Sequence, residues 1–431
     1  IRSRIILNPF PHHMSSDEVI KKLYDINPQF VFCHEKHYDT LSESNYEIIN
    51  LDKIHEKGFL EHLTNFSCKD LDVIYTSDDS VAVYYYSSGT TGKSKIIEYT
   101  HKSMVLMQAS MLRADFGKSG KVHLCFLPLG HTASLRYTVK HCICTGGTVV
   151  LYDSFWKLRS KLWDEIEKYN ATFMQVVPSI LIAILNTPYK NFSKKQINSM
   201  TFVGCGSAFL PENIQDNFQN LFKLPVANLY GLSETGATHF DNPFIKNRLK
   251  GSIGKPFDIV EAKIFDENGH QINGEKTGEI GIKGPGLLNG YLKNELLYKE
   301  CFNKGFFMTG DLCYKNKDGI YFYVDRKKDL IIKGGVNIVP SQIEEFLLSF
   351  SFVKEVAVLG KPDMLFGETI LCYIVPKGNK SINISTLKNS CKEKLGEFKT
   401  PSEFKLLDYL PKGPSGKILK RELRSNYLET K

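Results

Sequence analysis

Strand-like and helical segments alternate over residues 81–231, and this alternation constrains the fold more than any other feature of the sequence. The strand-like segments are short and rich in β-branched or aromatic residues. They cover residues 81–88, 122–129, 147–152, 172–178, 200–206 and 226–231. Apolar residues recur at helical spacing between them, as in the segment 155–169. Such alternation predicts an α/β fold with a mainly parallel sheet, whose ligand sites lie at the carboxyl ends of the strands.

The chain of 431 residues is too long for a single ordinary core. The pattern of predicted helices and strands changes twice along it. We expect a large N-terminal domain over residues 1–326, in which a β-rich subdomain with glycine turns begins near residue 250. Residues 327–431 mix helix and strand and predict a small α+β lid domain. The sequence enters a strand-like segment directly at Ile1, so we also expect that an N-terminal segment of the large domain is missing.

A polar loop follows the strand at 81–88 and contains the residue types that bind phosphate. It reads Ser87-Ser88-Gly89-Thr90-Thr91-Gly92-Lys93-Ser94-Lys95. Small residues let backbone N–H groups approach phosphate oxygens, hydroxyls add donors, and lysines neutralise charge. The tail of the loop matches a Walker A motif, but that motif needs glycine where Ser87 stands, so the spacing excludes it. A polar hairpin without a ligand is the alternative explanation of the loop taken alone.

Five further motifs follow this loop along the chain. They are Gly204-Cys205-Gly206-Ser207-Ala208, Tyr230-Gly231-Leu232-Ser233-Glu234-Thr235, Thr309-Gly310-Asp311-Leu312, Asp325-Arg326-Lys327-Lys328-Asp329 and Pro414-Ser415-Gly416-Lys417. With them the sequence resembles the adenylate-forming superfamily, which comprises acyl- and aryl-coenzyme A synthetases, luciferases and the adenylation domains of peptide synthetases. The resemblance covers about residues 1–425. The sequence departs from the family pattern at Ser94, where proline is common, and at Ile96, where glycine is frequent.

The resemblance implies a site for ATP. The implied nucleotide-binding residues are Ser87, Ser88, Gly89, Thr90, Thr91, Gly92, Lys93, Lys95, Gly206, Ser207, Ala208, Tyr230, Gly231, Ser233, Asp311 and Arg326. By this resemblance Tyr230 stacks on adenine, Asp311 accepts the ribose hydroxyls and Ser233 donates to the α-phosphate. A buried core tyrosine, a turn-capping aspartate and a turn-forming serine are the respective alternatives.

Three residues are implied to be catalytic, because adenylation brings a carboxylate and a triphosphate together and must offset their charge. Glu234 is the implied Mg²⁺ ligand, since hard cations prefer carboxylate oxygens. Lys417 is implied to bridge the carboxylate and the α-phosphate, although an isolated lysine is usually solvated. His131 has the position that gates or orients the acid, and a core histidine at a strand end is its alternative.

The second half-reaction is implied to need a moving lid and a thiol. Lys328 corresponds to the pivot of the lid, and Gly334-Gly335 to the turn that a pantetheine thiol passes. The thiol belongs to coenzyme A or to a phosphopantetheinyl carrier protein. The segment 132–135 lacks the acid that peptide-synthetase domains place there, which disfavours an amino-acid substrate. The candidate acyl-pocket residues, for which plain core packing is the alternative, are Gln175, Val177, Ile180 and Leu181.

We therefore expect an acid–thiol ligase that forms an acyl-adenylate, releases pyrophosphate and makes a thioester on coenzyme A. The alternatives are an adenylation enzyme that loads a carrier protein, a luciferase-like enzyme and a non-catalytic nucleotide-binding protein. A net charge of +8 suits ATP, coenzyme A or an acidic carrier, and equally a lysine-rich surface.

Composition excludes several other classes. No basic stripe is interleaved with aromatic residues, so nucleic acid is not an expected partner. No apolar stretch reaches the roughly 18 residues of a transmembrane helix. Ten cysteines without a CxxC pair fit a reducing compartment, and we expect a cytoplasmic protein.

Overall fold

The computed structural model describes residues 5–10, 14–52, 77–87, 95–189, 192–378, 382–413 and 417–428, with side chains to residue 425. In these ranges the helices span Ser16–Ile26, Glu35–Ser42, His101–Arg113, His141–Cys144, Phe155–Leu158, Leu162–Tyr169, Pro178–Leu185, Glu212–Phe222, Glu295–Glu300, Pro340–Leu348, Ile384–Leu395 and Lys420–Leu428. A wide π-type helical turn spans Ser134–Lys140.

The strands of the described residues are β1 (Phe30–Cys33), β2 (Glu47–Asn50), β3 (Val81–Tyr86), β4 (Ile96–Thr100), β5 (Val122–Cys125), β6 (Thr148–Leu151), β7 (Phe173–Val176), β8 (Phe202–Gly206), β9 (Val226–Leu232), β10 (Gly236–Phe240), β11 (Ser252–Pro256), β12 (Glu261–Phe265), β13 (Gln271–Ile272), β14 (Gly278–Lys283), β15 (Gly290–Tyr291), β16 (Phe302–Asn303), β17 (Phe306–Lys315), β18 (Tyr321–Arg326), β19 (Ile331–Lys333), β20 (Val336–Ile338), β21 (Val353–Asp363), β22 (Gly367–Pro376) and β23 (Glu403–Leu406).

The predicted parallel sheet is present as strands β6, β5, β7, β8 and β9, each parallel to its neighbour. Alternate residues of each strand point to opposite faces of the sheet, so each strand contributes side chains to two hydrophobic cores. Phe173 and Phe202 pack on one face with ring centroids 5.1 Å apart, whereas Met174 and Val203 face the other core. Burial on both faces is typical of parallel strands, and each such side chain contributes about 1.5–3 kcal/mol.

The β-rich region expected from residue 250 is continuous with this sheet. Strand β10 turns back antiparallel against β9, and β11, β18, β17, β14, β12 and β13 extend the same sheet. The result is one 13-stranded sheet, with β16 paired to β17 at its side. The sheet is not interrupted where the sequence pattern changes. The pattern changes because the strands there pair antiparallel instead of parallel.

The first predicted strand belongs to a different sheet. Residues 81–86 form β3, as expected, but β3 pairs antiparallel with β4, and β15 completes a 3-stranded sheet. Sequence alternation alone does not distinguish the sheets, because it does not show which strands pair with one another. The pairing of β15 with β4 brings the segment near residue 291 back to the polar loop after β3.

The lid prediction corresponds to a second compact unit. Strands β20, β19, β22 and β21 form its sheet, β23 joins β22 in parallel, and helices Pro340–Leu348 and Ile384–Leu395 cover a core of aliphatic side chains. Ser341 ties this unit to β18, because its N–H donates to Asp325 Oδ2 at 2.9 Å and its hydroxyl to the Val324 carbonyl at 2.7 Å. None of the described helices combines the length and hydrophobicity needed to span a bilayer.

We predict that Gly231→Ala destabilises the large domain, because its Cβ would lie 1.9 Å from the Gly236 carbonyl oxygen in the β9–β10 hairpin. The expected loss is about 2–4 kcal/mol, measured by urea unfolding. Gly274→Ala is the control: its φ is +80° but nothing lies within 4 Å of the added Cβ, so only about 1 kcal/mol of backbone strain is expected. Equal losses in both variants would contradict the close approach.

Candidate active site

A cavity of about 260 Å³ lies at the carboxyl ends of β7, β8 and β9, and residues of the lid close it on one side. This is the position predicted for a ligand in a parallel sheet. Most of the predicted site residues that the structure describes line it. They are Ser87, Lys95, His131, Gln175, Gly206, Ser207, Tyr230, Gly231, Ser233, Glu234, Arg326, Lys328 and Lys417.

Other predicted residues lie elsewhere. The loop residues Ser88, Gly89, Thr90, Thr91, Gly92 and Lys93 are outside the described ranges. Val177, Ile180 and Leu181 pack in the hydrophobic core beside β7 and do not line the cavity, so their position gives no support to an acyl wall there. Ala208 follows the wall residue Ser207 without reaching the wall itself, and Gly334 and Gly335 lie exposed on the lid.

The two ends of the polar loop are held together. The Ser87 N–H donates to the Lys95 carbonyl at 2.9 Å, and the Lys95 N–H donates to the Ser87 hydroxyl at 3.0 Å. These bonds extend the β3–β4 pairing by one step beyond Tyr86 and Ile96. These hydrogen bonds therefore fix the positions from which Ser87 and the Lys95 side chain line the cavity.

Asp311 stands directly behind the cavity wall, between two residues that line it. The Tyr230 hydroxyl donates to Asp311 Oδ2 at 2.8 Å, and Arg326 Nε lies 2.6 Å from Asp311 Oδ1. The register of β17 against β18 places Asp311 opposite Arg326. Burial raises the pKa of the Asp311 carboxyl, and the guanidinium of Arg326 opposes that rise. The pair fixes the positions of Tyr230 and Arg326, which both line the cavity.

Positive charge dominates the described part of the wall. Lys95, Arg326, Lys328 and Lys417 line the cavity together with the single carboxylate of Glu234. Cations gathered in a recessed site with so little compensating acid favour a polyanionic ligand. A triphosphate satisfies this charge pattern.

Glu234 lies at the tip of the β9–β10 hairpin, which its neighbours hold in place. Tyr99 donates to the Ser233 carbonyl at 2.6 Å, and the Tyr291 hydroxyl donates to Glu234 Oε1 at 3.3 Å. Burial raises the pKa of Glu234, and the charges of Lys95 and Arg326 oppose the rise.

The surroundings of Glu234 fit a magnesium ion shared with phosphate. Among the described residues no three His, Cys, Asp or Glu side chains converge as a complete metal site. Mg²⁺ usually takes one or two carboxylates, substrate phosphate oxygens and several waters. One partly buried carboxylate in a cationic, phosphate-sized cavity meets that requirement.

His131 is a neutral imidazole with an assignable tautomer. Burial lowers its pKa to about 4. Its Nδ1 accepts the Ala133 N–H at 3.3 Å, so the ring proton is on Nε2. His131 therefore presents a hydrogen-bond donor to the cavity rather than a positive charge.

Lys417 reaches the cavity from the lid. Its carbonyl accepts the Gly413 N–H at 2.8 Å, and the neighbouring Ile418 pairs with Lys412, so a short antiparallel bridge fixes this segment. Burial lowers the pKa of the Lys417 ammonium to about 8, and the nearby Arg326 adds to the effect. The Lys417 ammonium therefore loses its proton more readily than that of an ordinary lysine, and it lies where the two domains meet.

Family models match both units of the chain. The model of the AMP-binding enzyme family matches residues 1–292, and that of the AMP-binding enzyme C-terminal domain matches residues 342–417. The chain belongs to the AMP-binding enzyme family. This confirms the resemblance found in the sequence motifs.

Individual relatives of this AMP-binding enzyme are coenzyme A ligases. It is 34% identical over 348 residues to the sulfoacetate–CoA ligase of Cupriavidus necator, across 80% of this chain and 67% of the relative. It is 31% identical over 430 residues to 4-coumarate–CoA ligase-like 2 of Arabidopsis thaliana, across 95% of this chain and 75% of the relative. The chain is an acid–thiol ligase that uses ATP to activate a carboxylic acid as acyl-adenylate before thioester formation.

The fold also matches solved structures of one protein in two states. Against ATP-bound MatB from Rhodopseudomonas palustris the TM-score is 0.91, at 25% identity, across 99% of this chain and 84% of that one. Against apo MatB from the same organism the TM-score is 0.76, at 25% identity, across 99% of this chain and 84% of that one. The α/β architecture with a small C-terminal domain is therefore that of adenylate-forming enzymes.

The cavity of the AMP-binding enzyme also includes residues that no motif indicated. Tyr291 and Cys301 come from the segment after β14, while Tyr137 comes from the wide helical turn. Tyr291 reaches the site because β15 pairs with β4, which is a long-range contact without a local signal. Tyr137 follows His131 by six positions, so the helical segment after the strand at 122–129 offered a partial signal.

We predict that activity falls above about pH 8 because Lys417 then loses its proton. A lowered pKa means that the ammonium is present below that pH and absent above it. The kcat/KM for ATP–pyrophosphate exchange, which reports free-enzyme pKa values, should decline about tenfold per pH unit on that limb. Lys417→Arg stays charged and is expected to lose the limb. An unchanged alkaline limb in Lys417→Arg would assign it to another group.

Proposed function

We propose that the cavity is the single adenylation site and that Lys417, Glu234 and His131 act in it together. The observation that supports this most directly is convergence: a lysine of the lid, a hairpin carboxylate and the base of the polar loop line one cavity. These groups come from positions as far apart as 87 and 417. A non-catalytic nucleotide-binding protein has no chemical need for a lid lysine at that place.

The proposed phosphate contacts follow from the charges of the wall. Lys95 and Arg326 neutralise phosphate oxygens, and the loop residues 88–94 add backbone and hydroxyl donors. Glu234, together with phosphate oxygens, would hold Mg²⁺, and the bound ion would neutralise charge between the two reacting anions. Ser233, on the same hairpin tip, donates to the α-phosphate.

The proposed nucleoside contacts come from the carboxyl ends of β8 and β9 and from β17 and β18. Gly206 and Ser207 border the adenine, and the Tyr230 ring stacks on it. A Cβ at Gly206 would lie 2.5 Å from the Leu229 carbonyl oxygen, so glycine permits β8 and β9 to approach closely here. Asp311 and Arg326 receive the ribose, with Tyr230 keeping the carboxylate in place.

In the proposed reaction a carboxylate oxygen of the acid attacks the α-phosphorus of ATP, and the bond to the bridging oxygen breaks to release pyrophosphate. His131 Nε2–H orients the carboxylate, and the Lys417 ammonium offsets charge on the α-phosphate as the bond forms. Gln175 lines the acyl side and offers an amide to the substrate.

We predict that Lys417→Ala lowers ATP–pyrophosphate exchange by about 10²–10³, because one transition-state donor is removed. The assay uses a panel of carboxylic acids, which also identifies the substrate. Lys412→Ala is the matched control, since Lys412 lies in the same segment but pairs with Glu355 at 2.8 Å. Near-normal exchange in Lys417→Ala would refute the proposed role.

We further propose that the described arrangement is the adenylation state and that thioester formation needs a different one. Lys417 faces the cavity, while Gly334 and Gly335 are exposed away from it. The higher TM-score with the ATP-bound than with the apo form of MatB supports this reading. Rotation at Lys328, in the short turn between β18 and β19, would exchange the two surfaces.

We predict that Lys328→Pro separates the half-reactions, because proline restricts the backbone at the proposed pivot in addition to removing the Lys328 side chain from the cavity wall. Thioester formation on coenzyme A should fall by at least about tenfold more than pyrophosphate exchange. Lys328→Ala removes the same side chain and leaves the backbone free, so its two half-reactions should change together. Equal losses in Lys328→Pro would contradict a pivot at this residue.

The acceptor and the compartment are also proposals. We propose free coenzyme A as the acceptor rather than a phosphopantetheinyl carrier, and parallel assays with both thiols test this. The described cysteines are all unpaired thiols, which supports a reducing compartment such as the cytoplasm.

A further inference from the structure

Arg136 is a buried cation next to the cavity that the reaction above does not use. It lies in the wide helical turn Ser134–Lys140 and is 3% exposed. The ring of Tyr99 covers one side of the guanidinium, at 4.4 Å from its central carbon. Gly236 lies against it as well, since an added Cβ there would be 2.9 Å from both terminal nitrogens.

The guanidinium lacks the partner that a buried charge needs. Among the residues that the structure describes, neither Nη1 nor Nη2 has an acceptor in good hydrogen-bond geometry and no carboxylate pairs with Arg136, and the nearest polar group is the neutral hydroxyl of Tyr99. Arginine does not lose its proton in proteins, and an uncompensated buried charge costs several kcal/mol. Arg326, in contrast, has Asp311 at 2.6 Å. A cation left unpaired at such a cost points to a ligand that supplies the anion.

A second unsatisfied donor lies close by. Tyr85 is fully buried, and its hydroxyl has no partner among the described residues. Its ring meets that of Tyr99 edge-on, with centroids 5.9 Å apart. Burial raises the pKa of Tyr85 to about 12, against the effect of the nearby Arg136 charge, so the hydroxyl stays protonated as a donor.

The neighbours of Arg136 connect it to the acyl side of the cavity. Ala133 and Tyr137, on the same helical segment, line the cavity, and so does Ala237, which adjoins Gly236 in the chain. His131, the proposed carboxylate-orienting group, begins the same segment. The phosphate-binding cations Lys95 and Lys417 come from different elements. Arg136 is therefore placed behind the wall that would meet the acyl group rather than the triphosphate.

This inference rests on the proposed function. We infer that Arg136 is a specificity-determining residue which binds a second anionic group of the acid, so that the substrate is a short carboxylic acid bearing another carboxylate or a sulfonate. A planar guanidinium whose two terminal nitrogens lack acceptors can bind such groups in a bidentate manner, and Arg136 lies directly behind the wall residues Ala133 and Tyr137. Tyr85 adds a further donor. Gly236 provides the space that the guanidinium occupies.

The test compares acids that differ only in the second charge. Succinate and its monomethyl ester have the same activated carboxylate and nearly the same length, and 3-sulfopropionate carries a sulfonate instead. In ATP–pyrophosphate exchange the wild-type enzyme should favour succinate or 3-sulfopropionate over the ester by about 10²-fold or more in kcat/KM, because the ester leaves Arg136 unpaired. A preference for the ester would overturn the inference.

Substitution of Arg136 should invert this preference. Arg136→Met keeps the length of the side chain without charge and is expected to lose about 10²–10³ on the doubly charged acids, while exchange with the ester is unchanged or higher. Arg136→Lys should restore part of the loss. Arg159→Met, a change at an exposed arginine near Trp156, is the control and should keep the wild-type pattern. Equal losses of Arg136→Met on both classes of acid would overturn the inference.

Thermal unfolding separates specificity from structure. If Arg136 awaits a ligand, the ligand-free Arg136→Met enzyme should melt roughly 2 °C above the wild type, because an unpaired buried charge has been removed. A lower Tm would assign Arg136 a structural role and contradict the inference.

If no acid of a broad panel supports exchange in the wild type, the proposed function fails, and this inference with it. Exchange with uncharged-tail acids alone leaves the function standing and refutes only the role of Arg136.

Discussion

The ion pair between Asp311 and Arg326 is the contact on which the organisation of the site depends. It joins β17 to β18, and the Tyr230 hydroxyl extends it to β9. A carboxylate whose side chain is 2% exposed would be strongly destabilising without its partner. The same pair sets Arg326 against the ligand two residues before Lys328, where the proposed pivot lies. The proposed ligand contact, the pairing of β17 with β18 and the proposed pivot therefore lie at the end of β18 and in the turn that follows it.

The distribution of charge around the cavity distinguishes ligand contacts from structural ones. On the described surface, most lysines and arginines that lie near an acidic residue form an ion pair with it, as Arg113 does with Asp258. The cations at the cavity have few acids to compensate them, and burial even lowers the pKa of Lys417 to about 8. Such a site is less stable empty than filled, since binding supplies the missing charge. The cavity cations that favour ligand binding therefore lower the stability of the ligand-free protein.

Sequence patterns predicted the fold and most of the site because they act locally. Short apolar runs, buried on both faces of the sheet, made β7 and β8 recognisable, and short motifs marked the ends of strands that meet at one edge. Three features could not be predicted in this way. An apolar run such as 177–181 looks the same whether it faces a core or a cavity, and the structure places it in the core. Tyr291 joins the site through strand pairing with β4, and the unpaired state of Arg136 becomes visible only when its surroundings are known.

The attachment of Ser341 to β18 has a consequence for the proposed rotation of the lid. Both of its hydrogen bonds cross from the lid to residues 324 and 325, on the large-domain side of Lys328. Because a rotation at Lys328 would break both bonds, they stabilise the present arrangement against that movement. In the proposed reaction these two hydrogen bonds, remote from the reacting atoms, would delay the access of water to the acyl-adenylate, which is a hydrolysable mixed anhydride.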